Sequence, residues 1–269
     1  MKLLGRWRFS RGMAVAAVQR RLFSSVRSPT PSSEKTQILS TLCEIPVEKR
    51  DDEWRSLLCM NVSEASFRLG SPEVQEGPDK FPYLHLCLPE SNVPFPAYSI
   101  EFLRESVLIN NGLGIVIESS EGKAEWVFSH GDVLNLHLNN EYFTQDDPSN
   151  SRISSSDTDS KFVIEAGTNM LVGAPSDVYL PTATRTAIRN FLERSGVSNP
   201  KVTLLALKAQ ASEEDNDNFV RELCFYCDEN TFQKDMNLAY KDGVSWYLPR
   251  HYKYLFADKD DDEFDFKDL

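Results

Sequence analysis

Four groups of residues carry types and spacings that chemistry uses. Cys224-Phe225-Tyr226-Cys227 is a C-x-x-C. Redox pairs of this kind sit at a helix N-terminus, where backbone N–H groups favour the thiolate. The flanking sequence instead reads as a strand, whose positions three apart point to opposite faces. With no second pair to complete a zinc site, the expected role is core packing. Ser129-His130-Gly131-Asp132 gathers three residue types of nucleophilic catalysis. Neighbours in sequence cannot fold back into a Ser–His–Asp relay, and the chain has no G-x-S-x-G elbow. Asp132 is expected to cap a turn or the element that follows. His130 and Asp132, with Trp126 nearby, are retained as candidate binding residues. Gly112-Leu113-Gly114 lacks the third glycine of a dinucleotide loop and precedes a strand, so it reads as a helix stop with close backbone packing.

The fourth group is the acidic run from Asp258 to Leu269. Asp258, Asp260 and Asp262 alternate as at the start of a calcium loop. Glu263 stands where that loop needs glycine, and Leu269 where it needs glutamate. The run reads as an acidic tail, residues 257–269, that either solubilises the chain with no specific partner or docks on a basic, grooved protein partner with Phe264 and Phe266 as anchors. His85, His137 and His251 each stand alone among apolar or aromatic neighbours, at no metal-binding spacing. No catalytic residue, metal or cofactor is assigned.

The chain has 269 residues, 41% hydrophobic and 26% charged, with a formal net charge of −12. That composition is globular, and no apolar run is long enough to span a membrane. The charge is divided. Lys2, Arg6, Arg8, Arg11, Arg20, Arg21 and Arg27 precede the first acidic residue, Glu34. An Arg- and Ser-bearing, acid-free, amphipathic front end is the mark of an organelle transit peptide, read by an import receptor. Arg20-Arg21-Leu22-Phe23-Ser24-Ser25 suits a mitochondrial processing site, which places the mature protein in the matrix. The remainder is more acidic than the whole and repels phosphate backbones, so nucleic acid is not an expected partner. Five cysteines without regular spacing fit a reducing compartment.

The elements that must position these groups follow from patterning. Residues 1–33 form the leader and linker, and the Ser/Pro/Thr-rich stretch to residue 36 is expected to be flexible. Residues 37–60 are helical, broken at Pro46. The proline-rich stretch 61–97 encloses one strand, Tyr83–Leu88, with Leu84, Leu86 and Leu88 on one face. Tyr98–Asn110 is a helix closed by Asn111-Gly112. Leu113–Glu118 and Glu125–Ser129 form a hairpin, and His130-Gly131-Asp132 a turn before Val133–Leu138. Residues 37–143 thus make an N-terminal α+β domain, and the polar stretch 144–160 a linker. A second α+β domain, 161–256, comprises a strand Phe162–Ala166 and a helix Pro181–Ser195 capped by Gly196. Strands Lys201–Ala209 and Phe219–Tyr226 then flank an acidic hairpin, followed by a helix Thr231–Tyr240 and extended pieces Ser245–Leu248 and Tyr252–Phe256. The expected fold class is α+β, with largely antiparallel sheets and helices packed on one face.

Gly173-Ala174-Pro175, then Tyr179-Leu180-Pro181 and a helix, then Asn199-Pro200-Lys201-Val202-Thr203-Leu204-Leu205, resemble the C-terminal domain of the SseB-like (enhanced serine sensitivity protein B) family. Residues 112–117 and 126–132 are similar to segments of proteins of that type, so the resemblance covers about residues 95–256. It implies an α+β domain and no catalytic residues, because that family has no established active site to carry over. The acidic hairpin and the basic leader depart from its pattern. The expected function is that of a non-enzymatic mitochondrial adaptor or accessory protein that binds another protein. The alternative is a small-molecule enzyme with a site between the two halves, near His130 and Asp132, with Cys227 as a further group.

Overall fold

The computed structural model describes residues 31–90, 93–144, 170–208, 219–226, 243–257 and 266–269. The basic leader, the acidic hairpin, the expected strand Phe162–Ala166, the expected helix Thr231–Tyr240, Cys227 and Phe264 lie outside those residues, as does the expected linker beyond Thr144. The fold is α+β with two sheets. Two compact units form: the described residues to Leu108 with Ile115–Val127, and Ile109–Gly114 with the described residues from Phe128 onward. Among the described residues no helix is long and apolar enough to cross a membrane.

The first unit opens with helix α1 (Ser33–Cys43), which starts inside the stretch expected to be linker. The Ser32 hydroxyl accepts from the Lys35 N–H, so a side chain replaces the missing helical acceptor. A short 3-10 turn (Val47–Lys49) follows Pro46, then helix α2 (Asp52–Val62), capped by the Asp51 carboxylate accepting from the Trp54 N–H. Leu39 and Leu42 of α1 and Trp54, Leu58 and Val62 of α2 are buried.

The first sheet has the order β1-β2-β3-β4, formed by β1 (Arg68–Glu76), β2 (Pro82–Cys87), β3 (Gly114–Glu118) and β4 (Ala124–Phe128). β1 was not expected, because Gly70 and Pro72 read as turn residues. It accommodates them by an irregularity between Leu69 and Val74, with a cis Ser71–Pro72 peptide. The expected strand is β2, and Leu84, Leu86 and Leu88 are all buried. The expected helix at 98–110 is α3 (Ile100–Leu103) running into a π-helical stretch, Arg104–Ile109. Gly112 ends it with φ +61°, and a Cβ there would lie 2.6 Å from the Ala187 Cβ, so both the backbone and the neighbour require glycine.

In the second unit, residues 130–139 form helix α4, which corrects the turn expected at His130-Gly131-Asp132. Ser129 and Asp132 make a reciprocal capping box, and Asn140 ends the helix in the left-handed region. The second sheet has the order β5-β6-β7-β8, from β5 (Met170–Gly173), β6 (Lys201–Lys208), β7 (Phe219–Tyr226) and β8 (Lys253–Ala257). Helix α5 (Thr182–Arg194) buries Ile188 and Leu192. β6 and β7 pair antiparallel as a hairpin would, but β7 and β8 are parallel, so this sheet is mixed. Residues 243–247 form a helical turn, α6, where an extended piece was expected. Its Val244, Tyr247 and the following Leu248 are buried at the i, i+3, i+4 spacing of one helix face, which an extended piece would have split between two faces.

The expected acidic tail ends in structure. Lys267 and Asp268 form β9, paired antiparallel to Val202 and Lys201 of β6. Phe266 packs its ring 5.5 Å from that of Tyr226, and Leu269 is buried.

Candidate functional site

His130 occupies the first position of α4 and is fully buried. Its Nδ1 lies 3.4 Å from the Leu113 carbonyl and its Nε2 3.1 Å from the Thr184 hydroxyl. A carbonyl only accepts, so Nδ1 carries the proton and Nε2 accepts from Thr184. The Trp246 and Tyr247 rings stand 6.3 and 5.8 Å from the imidazole. Burial drives its pKa down to about 4, and the bond to Leu113 offsets only part of that. Both ring nitrogens are thus committed to the fold, and the ring is neutral at physiological pH.

A measurable pH dependence follows. The unfolded chain binds a proton at His130 near pH 6.5, and the folded chain only near pH 4. Between those values the unfolded state holds more protons, so stability falls as pH falls. The gap corresponds to about 3 kcal/mol at 1.36 kcal/mol per unit. His130→Asn, which retains one donor and one acceptor, is expected to flatten the decline between pH 6.5 and 4. Chemical denaturation across that range checks it, and a variant profile parallel to the wild type refutes the assignment.

Asp132, two positions on in the same turn and also buried, is equally committed. One oxygen accepts from the Ser129 N–H in the capping box. Arg250 binds both oxygens, Nε to Oδ1 at 2.8 Å and Nη2 to Oδ2 at 3.1 Å. The Arg250 guanidinium also lies 4.4 Å over the Phe143 ring, while its side chain is 64% exposed. Between His130 and Asp132, Gly131 meets the backbone of Leu248. The Ser-His-Gly-Asp tetrad is therefore a clamp that ties the start of α4 to the turn carrying Leu248 and Arg250.

Trp126, the remaining described candidate besides Phe266, belongs to the other unit. Its ring is 5.3 Å from that of Trp54, over which Arg50 lies at 4.6 Å. Arg50 donates to the carbonyls of Cys43, Ile45 and Glu125 and pairs with the Glu125 carboxylate at 2.5 Å. Cys224 is buried in β7 opposite Thr203.

One polar cluster on the first sheet has no counterpart among the groups legible in the sequence. Glu118 of β3 accepts from His85 Nδ1 at 2.6 Å and from the Cys87 thiol at 3.0 Å. Arg68, paired across the ladder with Cys87, adds positive charge to the same face. His85 is thus not alone among apolar neighbours, as expected, but bound to a carboxylate. The signal was present as H-x-C on alternate strand positions; what the sequence lacked was the partner 31 residues beyond Cys87 on another strand. Burial, then the hydrogen bond and charge of Glu118, push the Cys87 thiol up to about 12. That thiol stays protonated and donates, the opposite of an activated nucleophile. Among the described residues no group of three or more His, Cys, Asp or Glu converges to hold a metal ion.

Burial raises the Glu118 pKa, but the hydrogen bonds from Cys87 and His85 and the charges of His85 and Arg68 outweigh it, so the net shift is downward. A depressed carboxylate stabilises the fold above its unfolded pKa, and that contribution disappears as pH falls through the folded value. Glu118→Gln is expected to cost about 1–2 kcal/mol at pH 7, because an NH2 donor replaces one of the two oxygens that accept from His85 and Cys87. It should also remove part of the acid sensitivity below the ordinary glutamate range. Unchanged stability at pH 7 would refute the cluster's role.

No known protein family, curated protein or solved structure matches this chain.

Proposed function

We propose that this chain is a non-enzymatic mitochondrial matrix protein of the SseB-like type that acts by binding another protein. The observation that carries this reading is the state of His130 and Asp132. The atoms that acid–base chemistry would use are bonded within the fold, to Leu113 and Thr184 and to Ser129 and Arg250. A group so committed holds a backbone in place; it does not exchange protons with a substrate. The surface offers a complementary feature. Leu57 and Met60, one turn apart on α2, are 40% and 72% exposed. Apolar side chains grouped on one helix face suit a protein contact. The basic front end supports the matrix address.

The test is quantitative crosslinking and affinity capture of the full tagged chain from mitochondria, with Leu57→Glu/Met60→Glu beside it. The wild type should retain a partner in near-stoichiometric yield. The double variant should lose it while its thermal midpoint moves by less than about 2 °C, as exposed substitutions do. A tagged chain found outside mitochondria, or turnover abolished by His130→Asn in a folded protein, would overturn the reading.

A further inference from the structure

One margin of β6 is shared by two short strands. β5 covers Leu204 to Leu207, and β9 covers Lys201 and Val202. β9 has two residues, both exposed. Its hold comes from its flanks. Phe266 rests on Tyr226, Leu269 is buried, and the Leu269 N–H reaches the Pro200 carbonyl at 3.4 Å. A pairing only two residues long belongs to the low-stability end of local opening.

What β9 covers is better built than β9 itself. On its other side β6 pairs with β7 along its whole length, from Lys201–Tyr226 onward. Lys201 and Val202 therefore keep strand geometry whether or not β9 is present. One of the two turns its N–H and C=O away from β7, and with the Pro200 carbonyl these would form a ready edge once β9 leaves. Tyr226 supplies an aromatic shelf beside that edge, with the Lys201 ammonium 5.4 Å over its ring.

We propose that this edge is a strand-addition site for an extended segment of a partner protein, and that β9 occupies it in cis as a displaceable strap. The site selects an aromatic residue for the Tyr226 shelf, an acidic residue opposite Lys201, where Asp268 now sits, and a leucine one position later. Backbone bonds supply the pairing, and these side chains the choice of partner. The inference rests on the protein-binding reading above.

The probe is a fluorescent synthetic peptide of residues 258–269, titrated into the full chain and into full-length Phe266→Ala/Leu269→Ala. Weakening the strap should tighten peptide binding at least tenfold, because the competitor in cis is lost. A peptide with alanine for Phe266 should bind at least tenfold more weakly. Equal affinity for both proteins, or no binding to a folded double variant, overturns the proposal. Should that variant unfold, hydrogen exchange on the wild type decides: the Leu269 amide should exchange at least 100-fold faster than the β6 amides bonded to β7, and equal protection overturns it. A wild-type dimer by light scattering that the double substitution dissolves would assign the edge to self-association and overturn it as well. Peptide binding without any captured partner would sink the protein-binding reading alone; capture without peptide binding would sink the strap alone.

Discussion

Replacing Gly131 by alanine should destabilise the second unit by more than about 3 kcal/mol, the upper end of overpacking costs. Two effects oppose each other at this helical position. Alanine is the better helix former by about 1 kcal/mol. Against that, its Cβ would lie 1.9 Å from the Leu248 carbonyl oxygen and 2.5 Å from the carbonyl carbon. The obstacle is backbone, so no rotamer relieves it. Nor can the turn drift away freely, because Leu248 N–H bonds to Ser245, Tyr252 N–H to Pro249, and Arg250 to Asp132. The steric term wins. Gly173→Ala, where a new Cβ meets nothing within 4 Å, is the control and should be near neutral. Urea denaturation of the two variants checks the pair. A Gly131→Ala protein as stable as the wild type would mean that α4 and the Leu248 turn do not meet as described.

The second large effect is expected at Arg50. Its guanidinium joins three backbone carbonyls and the Glu125 carboxylate, and both charged side chains are nearly inaccessible, at 8% and 3% exposure. Removing one partner of a buried pair strands the other, at a cost of about 3–5 kcal/mol. Arg50→Met is therefore expected to lose that much. Lys123, 3.6 Å from Glu125 but largely exposed, is a weak substitute. Arg50→Lys should recover little, because an ammonium cannot span four acceptors in a plane. The double variant Arg50→Met/Glu125→Met should be more stable than Arg50→Met alone, since no buried charge remains. Tryptophan fluorescence reports directly, because Trp54 and Trp126 lie against this network. Additive losses in the double-mutant cycle would show that the pair is not coupled.

The same two sites show what a sequence makes legible. Ser129 and Asp132 form a local signature, and Asp132 caps the next element as expected; the apolar Val133, Leu134 and Leu136 after it could have marked a helix in place of a turn. The break at Pro46, the stop at Gly112, the helix at 182–194 and the pairing of Lys201–Lys208 with Phe219–Tyr226 also follow from neighbours in sequence. β1 was hidden because Gly70 and Pro72 carry turn preferences that pairing with β2 overrides. The grouping of His85, Cys87 and Glu118 was hidden because strand register, not spacing, brings Glu118 to the other two.

The amino-acid order alone determined the fold class, most element positions and the division between a cationic front end and an acidic remainder, because propensity, periodicity and charge act over a few residues. Only the tertiary structure decided that His130 is a neutral core group, that Arg50 and Arg250 each hold a buried carboxylate, and that the last residues of an acidic run complete a sheet. Those outcomes depend on desolvation and on partners 17 to 118 positions away, which no local pattern encodes.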